Sequence, residues 1–182
     1  MTMLSPLQRR RESLDGRLGR AAELAQIDFA PDIAQPSGRR LVLAAVTSVI
    51  GSLAADAIIV AVGTAVFPST KGYTHFRLVD YARLTMIGVI IASAAWPVVT
   101  RISSAARRWF LVMAVAVTLV LLLPDAWIWT RGQPGTAVAV LVVMHFAIAL
   151  VTFNALVRVA PASARGEMSV SRVQSRDESR VV

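Results

Sequence analysis

Four long apolar segments constrain this chain more than any other feature of its sequence. They cover about residues 41–67, 81–100, 109–129 and 136–157. Each meets the roughly 20 residues that a helix needs to cross about 30 Å of hydrocarbon. Membrane strands are not expected, because the segments are continuously apolar and lack alternation between apolar and polar residues. The sequence therefore predicts an all-α integral membrane four-helix bundle.

The composition agrees with a membrane protein. Only 16% of the 182 residues are charged, whereas a soluble domain usually carries about 25%. The mean hydropathy is +0.61 and the isoelectric point is near 11.5. The positive charge does not indicate nucleic-acid binding, because it lies in the two tails and the short connecting segments. The chain has no cysteine, which excludes disulfides, thiolate metal sites and thiol–disulfide catalysis.

The basic residues predict the orientation in the membrane. Fifteen of them lie before the first segment, between the second and third, or after the fourth. Four lie on the other side: Lys71, Arg77 and Arg131 in the other two connections, and Arg83 near the start of the second segment. The positive-inside rule then places both termini in the cytoplasm. The Arg-rich segments are also expected to attract the anionic lipids of the bilayer.

The chain divides into three parts on these criteria. Residues 39–160 form the membrane domain, and residues 161–182 form a polar cytoplasmic tail that is predicted to be disordered. Residues 1–38 form a basic cytoplasmic segment. Apolar residues recur in it at helical spacing, which favours an interfacial amphipathic helix over about residues 5–27. A mostly disordered basic tail remains the alternative.

Asp56 is the most conspicuous polar residue inside a predicted span. An aspartate at the centre of a span costs about 2.5–3.5 kcal/mol on insertion scales, so it should face the bundle. Ala44, Ser48, Ser52 and Asp56 are spaced by four residues and form one stripe of small and polar side chains. Such stripes let helices approach closely, and their serines can form hydrogen bonds across the interface.

His145 is the predicted partner of Asp56. Asp56 in the first span and His145 in the fourth lie at nearly the same depth, roughly 15 Å below the outer surface. Thr152 shares the face of His145, and Asn154 lies about 180° away from it. An Asp56–His145 pair could be structural, clamping two helices together, or it could bind protons near neutral pH. A metal site is not expected, because two ligands are too few for zinc and His75 would be a weak third.

The remaining polar features favour structural roles. Pro97 and Pro124 are expected to kink the second and third spans. Asp125 is expected at the outer boundary, paired with Arg131. No phosphate-binding loop, nucleophile elbow or metalloprotease motif is present, so no catalytic residue and no cofactor are expected.

The last two spans carry a family resemblance. The segments "RRWFLVMAVAVTLVLLLPDAW" and "AVAVLVVMHFAIALVTFNALVR" resemble a family of small four-span membrane proteins, mostly actinobacterial, catalogued as a domain of unknown function. The matching features are Arg107–Trp109, Pro124 and Met144–His145, and the resemblance covers roughly residues 39–160. It implies the four-span fold and a bacterial inner membrane, and it implies no activity.

The favoured function is non-enzymatic: an accessory or regulatory subunit of a larger inner-membrane complex. The alternative is a proton-coupled small transporter or sensor built around Asp56 and His145. A membrane enzyme acting on lipid or quinone is the weakest hypothesis, because the loops between the spans are too short to form a catalytic domain.

Overall fold

The computed structural model describes residues 33–164, together with Gly19. Four long helices account for most of this part of the chain: α1 (Gly38–Val66), α2 (Leu78–Ile102), α3 (Ala106–Thr130) and α4 (Gly135–Val159). All four are long and apolar enough to cross a membrane, so the predicted four-helix membrane bundle is confirmed. Apart from Gly19 and residues 161–164, the predicted amphipathic segment (about residues 5–27) and the polar C-terminal tail (residues 161–182) lie outside the described residues.

Each helix extends one to three residues past the predicted span at one or both ends. The apolar pattern marks the hydrocarbon depth, whereas helices continue until a cap or turn stops them. At the start of α1, the Ser37 hydroxyl accepts a hydrogen bond of 3.4 Å from the Arg40 backbone N–H, which satisfies one of the first free donors of the helix. Pro97 and Pro124 both lie inside continuous helices.

The helix α1 packs most extensively against α4. Two glycines of α1 permit this close approach. A β-carbon at Gly63 would lie 2.7 Å from Cγ2 of Val140, and one at Gly51 would lie 2.9 Å from Cγ1 of Val151. The outward faces are apolar, with residues such as Ile58, Ile91 and Leu150 more than 60% exposed. These faces are suited to lipid.

One end of the bundle, where α1 begins and α4 ends, is called the terminal end. Two-residue strands β1 (Ile33–Ala34) and β2 (Ser163–Ala164) pair there in antiparallel register. Gln35 makes two hydrogen bonds to Thr100 of α2, accepting one from the hydroxyl (2.7 Å) and donating one to the carbonyl (2.9 Å). The Trp96 indole N–H donates to the Ala160 carbonyl at 2.8 Å. The chain segments on both flanks of the bundle are thus fastened to α2.

The opposite end, where α1 joins α2 and α3 joins α4, is called the loop end. The longer loop contains two 3-10 turns, Pro68–Thr70 and Thr74–Phe76. Phe76 is buried and packs in an apolar cluster with Ala137, Val140 and Met144 of α4. The loop therefore folds back over the helix ends and covers the interior of the bundle from this side.

A buried polar cluster as the candidate functional site

The stripe of small and polar residues on α1 is buried inside the bundle. Ala44, Ser48, Ser52 and Asp56 all have 0% of their surface exposed. The Ser48 hydroxyl donates to the Ala44 carbonyl one turn earlier at 2.8 Å, so it is satisfied within its own helix. Asp56 faces the interior, as its insertion cost requires.

Thr85 of α2, and not His145, is the hydrogen-bond partner of Asp56. The Thr85 hydroxyl donates to Oδ2 of Asp56 at 2.7 Å, and both residues are buried. The predicted Asp56–His145 pair is therefore wrong as a direct contact. Equal depth fixed only the position along the membrane normal, whereas the arrangement of the helices around the bundle places α2 next to this carboxylate. His145 acts on Asp56 only through its charge.

His145 contacts Asp125 of α3 instead. Its Nδ1 lies 3.2 Å from Oδ2 of Asp125, and their side chains are 24% and 8% exposed. The expected Asp125–Arg131 pair is also wrong, because Asp125 turns inward. The Arg131 guanidinium lies over the Trp127 ring, 4.6 Å from its centroid, in a cation–π contact.

The Nδ1 atom of His145 has two oxygen neighbours that compete for it. The Leu141 carbonyl, one turn earlier on α4, lies 2.9 Å from Nδ1. Oδ2 of Asp125 is buried and has no well-aligned hydrogen bond, so its contact with the imidazole is electrostatic. A proton on Nδ1 can be donated to the helix carbonyl, while Asp125 gains attraction whenever the ring is charged.

The other predicted site residues lie deeper in the bundle or on its side. Thr152 of α4 is buried, and its hydroxyl lies 3.4 Å from that of Ser52. Asn154 donates to the Leu150 carbonyl at 2.7 Å and is satisfied within its own helix. Thr152 and Asn154 therefore do not contact Asp56 or Asp125. The contact between Ser52 and Thr152 instead connects α1 to α4, closer to the terminal end.

Cysteines that replace Ser52 and Thr152 are expected to form a disulfide under mild oxidation. The sulfur atoms would occupy nearly the positions of the two hydroxyl oxygens, and bond formation requires only a small approach. The chain has no other cysteine, so a mobility shift on non-reducing gels reports this bond alone. Cysteines at 52 and 154 are the control, because residue 154 faces about 200° away from residue 152. Equal cross-linking in both pairs would contradict the α1–α4 packing.

The loop between α1 and α2 covers the cluster with aromatic side chains. The Tyr73 ring makes edge contacts with His75 and Phe76, with centroids 5.3 and 5.1 Å apart. Burial raises the pKa of the Tyr73 phenol, and the nearby Asp125 carboxylate raises it further. This phenol therefore stays protonated at physiological pH. His75 is also close enough to Asp125 to interact with its charge.

Three buried polar atoms around Asp56 and Asp125 have no hydrogen-bond partner among the described residues. Oδ1 of Asp56 and Oδ2 of Asp125 are buried without a hydrogen-bond donor, and the Tyr73 hydroxyl is also buried without a partner. Unpaired buried polar atoms are costly, and each of these can gain a partner through a proton or a side-chain movement. We call Asp56, Thr85, Asp125 and His145 the polar cluster. It takes one residue from each helix.

The side chains of the polar cluster are not arranged as a metal site. Within residues 33–164, no group of three or more His, Cys, Asp or Glu side chains is arranged to hold a metal ion. Asp56, Asp125 and His145 are titratable groups whose charges interact. His75, Tyr73 and Tyr81 each lie near enough to interact with one of the two carboxylates.

Thr85 and Asp125 are the site residues that the sequence interpretation missed. A threonine in an apolar helix is usually satisfied by its own backbone, as Thr118 is by the Ala114 carbonyl at 2.8 Å. The helical spacing of Thr85, Val89 and Trp96, all buried on one face of α2, was the available signal. For Asp125, the signal was its position five residues before the end of α3, which is about 7.5 Å inside the helix.

No protein-family model, curated protein or solved structure matches the chain. The resemblance to the actinobacterial family stays a prediction.

Proposed function

We propose that this multi-pass membrane protein is a non-enzymatic, proton-responsive regulatory subunit of the bacterial inner membrane. The observation that carries the proposal is the convergence of two carboxylates and an imidazole from three helices, with unpaired oxygens on both carboxylates. Histidine changes charge between about pH 5 and 8. A proton gained or lost in this cluster changes the interactions between α3 and α4, and this change can alter how the bundle packs.

A sensor fits the geometry better than a transporter. The polar cluster lies toward the loop end, and on the other side of it the bundle is closed by an apolar core at the terminal end. Trp96, Phe110 and Leu156 of that core are almost fully buried. If the orientation follows the positive-inside rule, the cluster responds to the pH of the outer face.

We expect the output of such a sensor to pass to a partner in the membrane. Within residues 33–164, the loops at 67–77 and 131–134 are too short to form a separate domain, so in this part of the chain a change in helix packing is transmitted through the helix faces. This supports the proposal of an accessory or regulatory subunit of a larger complex.

The proposal is tested by the pH dependence of the packing between α3 and α4. The free energy of unfolding by SDS in mixed micelles, measured from about pH 5 to 8, should change with pH, because protons gained or lost by the polar cluster alter the charges that α3 and α4 present to each other. Asp125→Asn should remove most of this change, because it removes the carboxylate that lies 3.2 Å from Nδ1 of His145.

Asp80→Asn is the matched control. Asp80 lies in the first turn of α2, near the same end of the bundle, but outside the polar cluster. Its substitution should leave the pH dependence of stability nearly unchanged. If the stability of the parent does not change with pH in this range, or if both substitutions act equally, the proton-responsive function is refuted.

A further inference from the structure

A groove at the terminal end combines basic and apolar walls. It encloses about 430 Å³ and is lined by Ser104, Ala105, Arg107, Arg108, Leu111 and Phe153. It is formed by the connection between α2 and α3, the first turns of α3, and one residue of α4. None of these residues belongs to the polar cluster.

The basic residues of the groove are free to meet a ligand from the membrane surface. Arg107 and Arg108 are both exposed, and neither is paired with a carboxylate among residues 33–164. The three acidic residues of that part of the chain, Asp56, Asp80 and Asp125, all lie in the half of the bundle nearer the loop end. The described terminal end has six arginines and no carboxylate to offset them.

The apolar wall lies deeper in the bundle than the two arginines. Leu111 is five residues inside α3 and Phe153 is six residues from the end of α4, which places them about 7.5 and 9 Å from the helix ends. Phe153 stacks on Phe110, with centroids 5.9 Å apart, and Phe110 meets the Trp96 ring edge-on at 5.1 Å. Because Trp96 and Phe110 are buried, this wall is firmly supported.

We propose that the groove binds an anionic phospholipid, with the phosphate held by Arg107 and Arg108 and an acyl chain against Leu111 and Phe153. A guanidinium binds phosphate oxygens in a bidentate arrangement. A soluble anion would use only the upper half of the groove, whereas a lipid uses both. The polar-above-apolar order of the groove matches the order of headgroup and acyl chain in a leaflet.

The experiment measures binding of phosphatidylglycerol to the full chain in nanodiscs of neutral phosphatidylcholine. The double variant Arg107→Gln/Arg108→Gln should bind it roughly 30-fold more weakly, or about 2 kcal/mol, because it loses the charge-assisted hydrogen bonds of both guanidinium groups to one phosphate. Arg39→Gln/Arg40→Gln is the control. It removes the same charge from the same end of the bundle without changing the groove, and it should lose less than about 3-fold.

Two further measurements separate a lipid site from general attraction. Leu111→Asn should weaken binding of the long-chain lipid while it leaves both arginines in place. Soluble glycerol phosphate should not displace the lipid at equal concentration. Equal losses in the two arginine pairs would show diffuse attraction to a basic surface, and displacement by glycerol phosphate would show a phosphate site. Either result overturns the proposal. Circular dichroism of each variant verifies that the helices are intact.

Discussion

Replacing Gly63 with alanine is expected to lower the free energy of unfolding by about 1–3 kcal/mol, the usual range for overpacking. The added methyl group would lie 2.7 and 3.1 Å from the two γ-carbons of Val140. Val140 cannot rotate away easily, because a β-branched side chain in a helix has essentially one favourable rotamer. The helices α1 and α4 must therefore separate at this level. Unfolding by SDS in mixed micelles, followed by circular dichroism, measures the loss.

Two comparisons show whether the effect comes from this contact. Gly88→Ala on α2 is the matched control, because nothing lies within 4 Å of a β-carbon there. Its effect should be neutral or slightly stabilising, because alanine is the better helix former. Val140→Ala introduced into Gly63→Ala should restore part of the lost stability. Strictly additive losses would mean that the two residues do not touch.

Replacing Thr85 with valine is expected to cost about 1–3 kcal/mol of stability, because it leaves the Asp56 carboxyl buried with no hydrogen bond. Valine keeps the shape of threonine and removes only the hydroxyl that donates to Oδ2 of Asp56. Thr85→Ser, which keeps the donor, should lie much closer to the parent. The same SDS unfolding experiment compares the three proteins.

The double variant Thr85→Val/Asp56→Leu gives the sharper result. Removing both partners removes the unsatisfied carboxyl together with its donor, so the double variant should be more stable than Thr85→Val alone. If Thr85→Val instead matches the parent, Asp56 has another partner in the membrane and the contact between α1 and α2 is not what holds it. Thr118→Val is a suitable reference, since the Thr118 hydroxyl bonds only its own helix at 2.8 Å.

The fold could be predicted from the sequence because the bilayer imposes one requirement on every span. An apolar segment of about 20 residues that crosses the bilayer must be helical, because its backbone can form hydrogen bonds only within itself. The four apolar segments therefore predicted α1 through α4. The buried stripe on α1 was predictable for a similar reason. Residues four apart share a face, and a carboxylate such as Asp56 excludes that face from lipid.

The partners within the polar cluster could not be predicted, because a sequence gives depth and not the order of helices around the bundle. Asp56 and His145 lie at matched depth, yet α2 supplies the nearest donor to Asp56. Asp125 was assigned to the boundary because Trp127 and Arg131 follow it closely. The direction of its side chain depends on the rotation of α3, and no short-range pattern reports that rotation.

The pairing of Ile33 with Ala164 affects how a partner could bind the two chain segments that flank the bundle. Adjacent strands lie about 5 Å apart, so the chain enters and leaves the membrane domain at practically one point. A force on either flanking segment acts on the same part of the terminal end, where Gln35 and Ala160 form hydrogen bonds with α2. A single partner that carried two weak binding elements, one for each flank, would hold the second at high effective concentration once the first had bound, so two weak contacts would give tight bivalent binding.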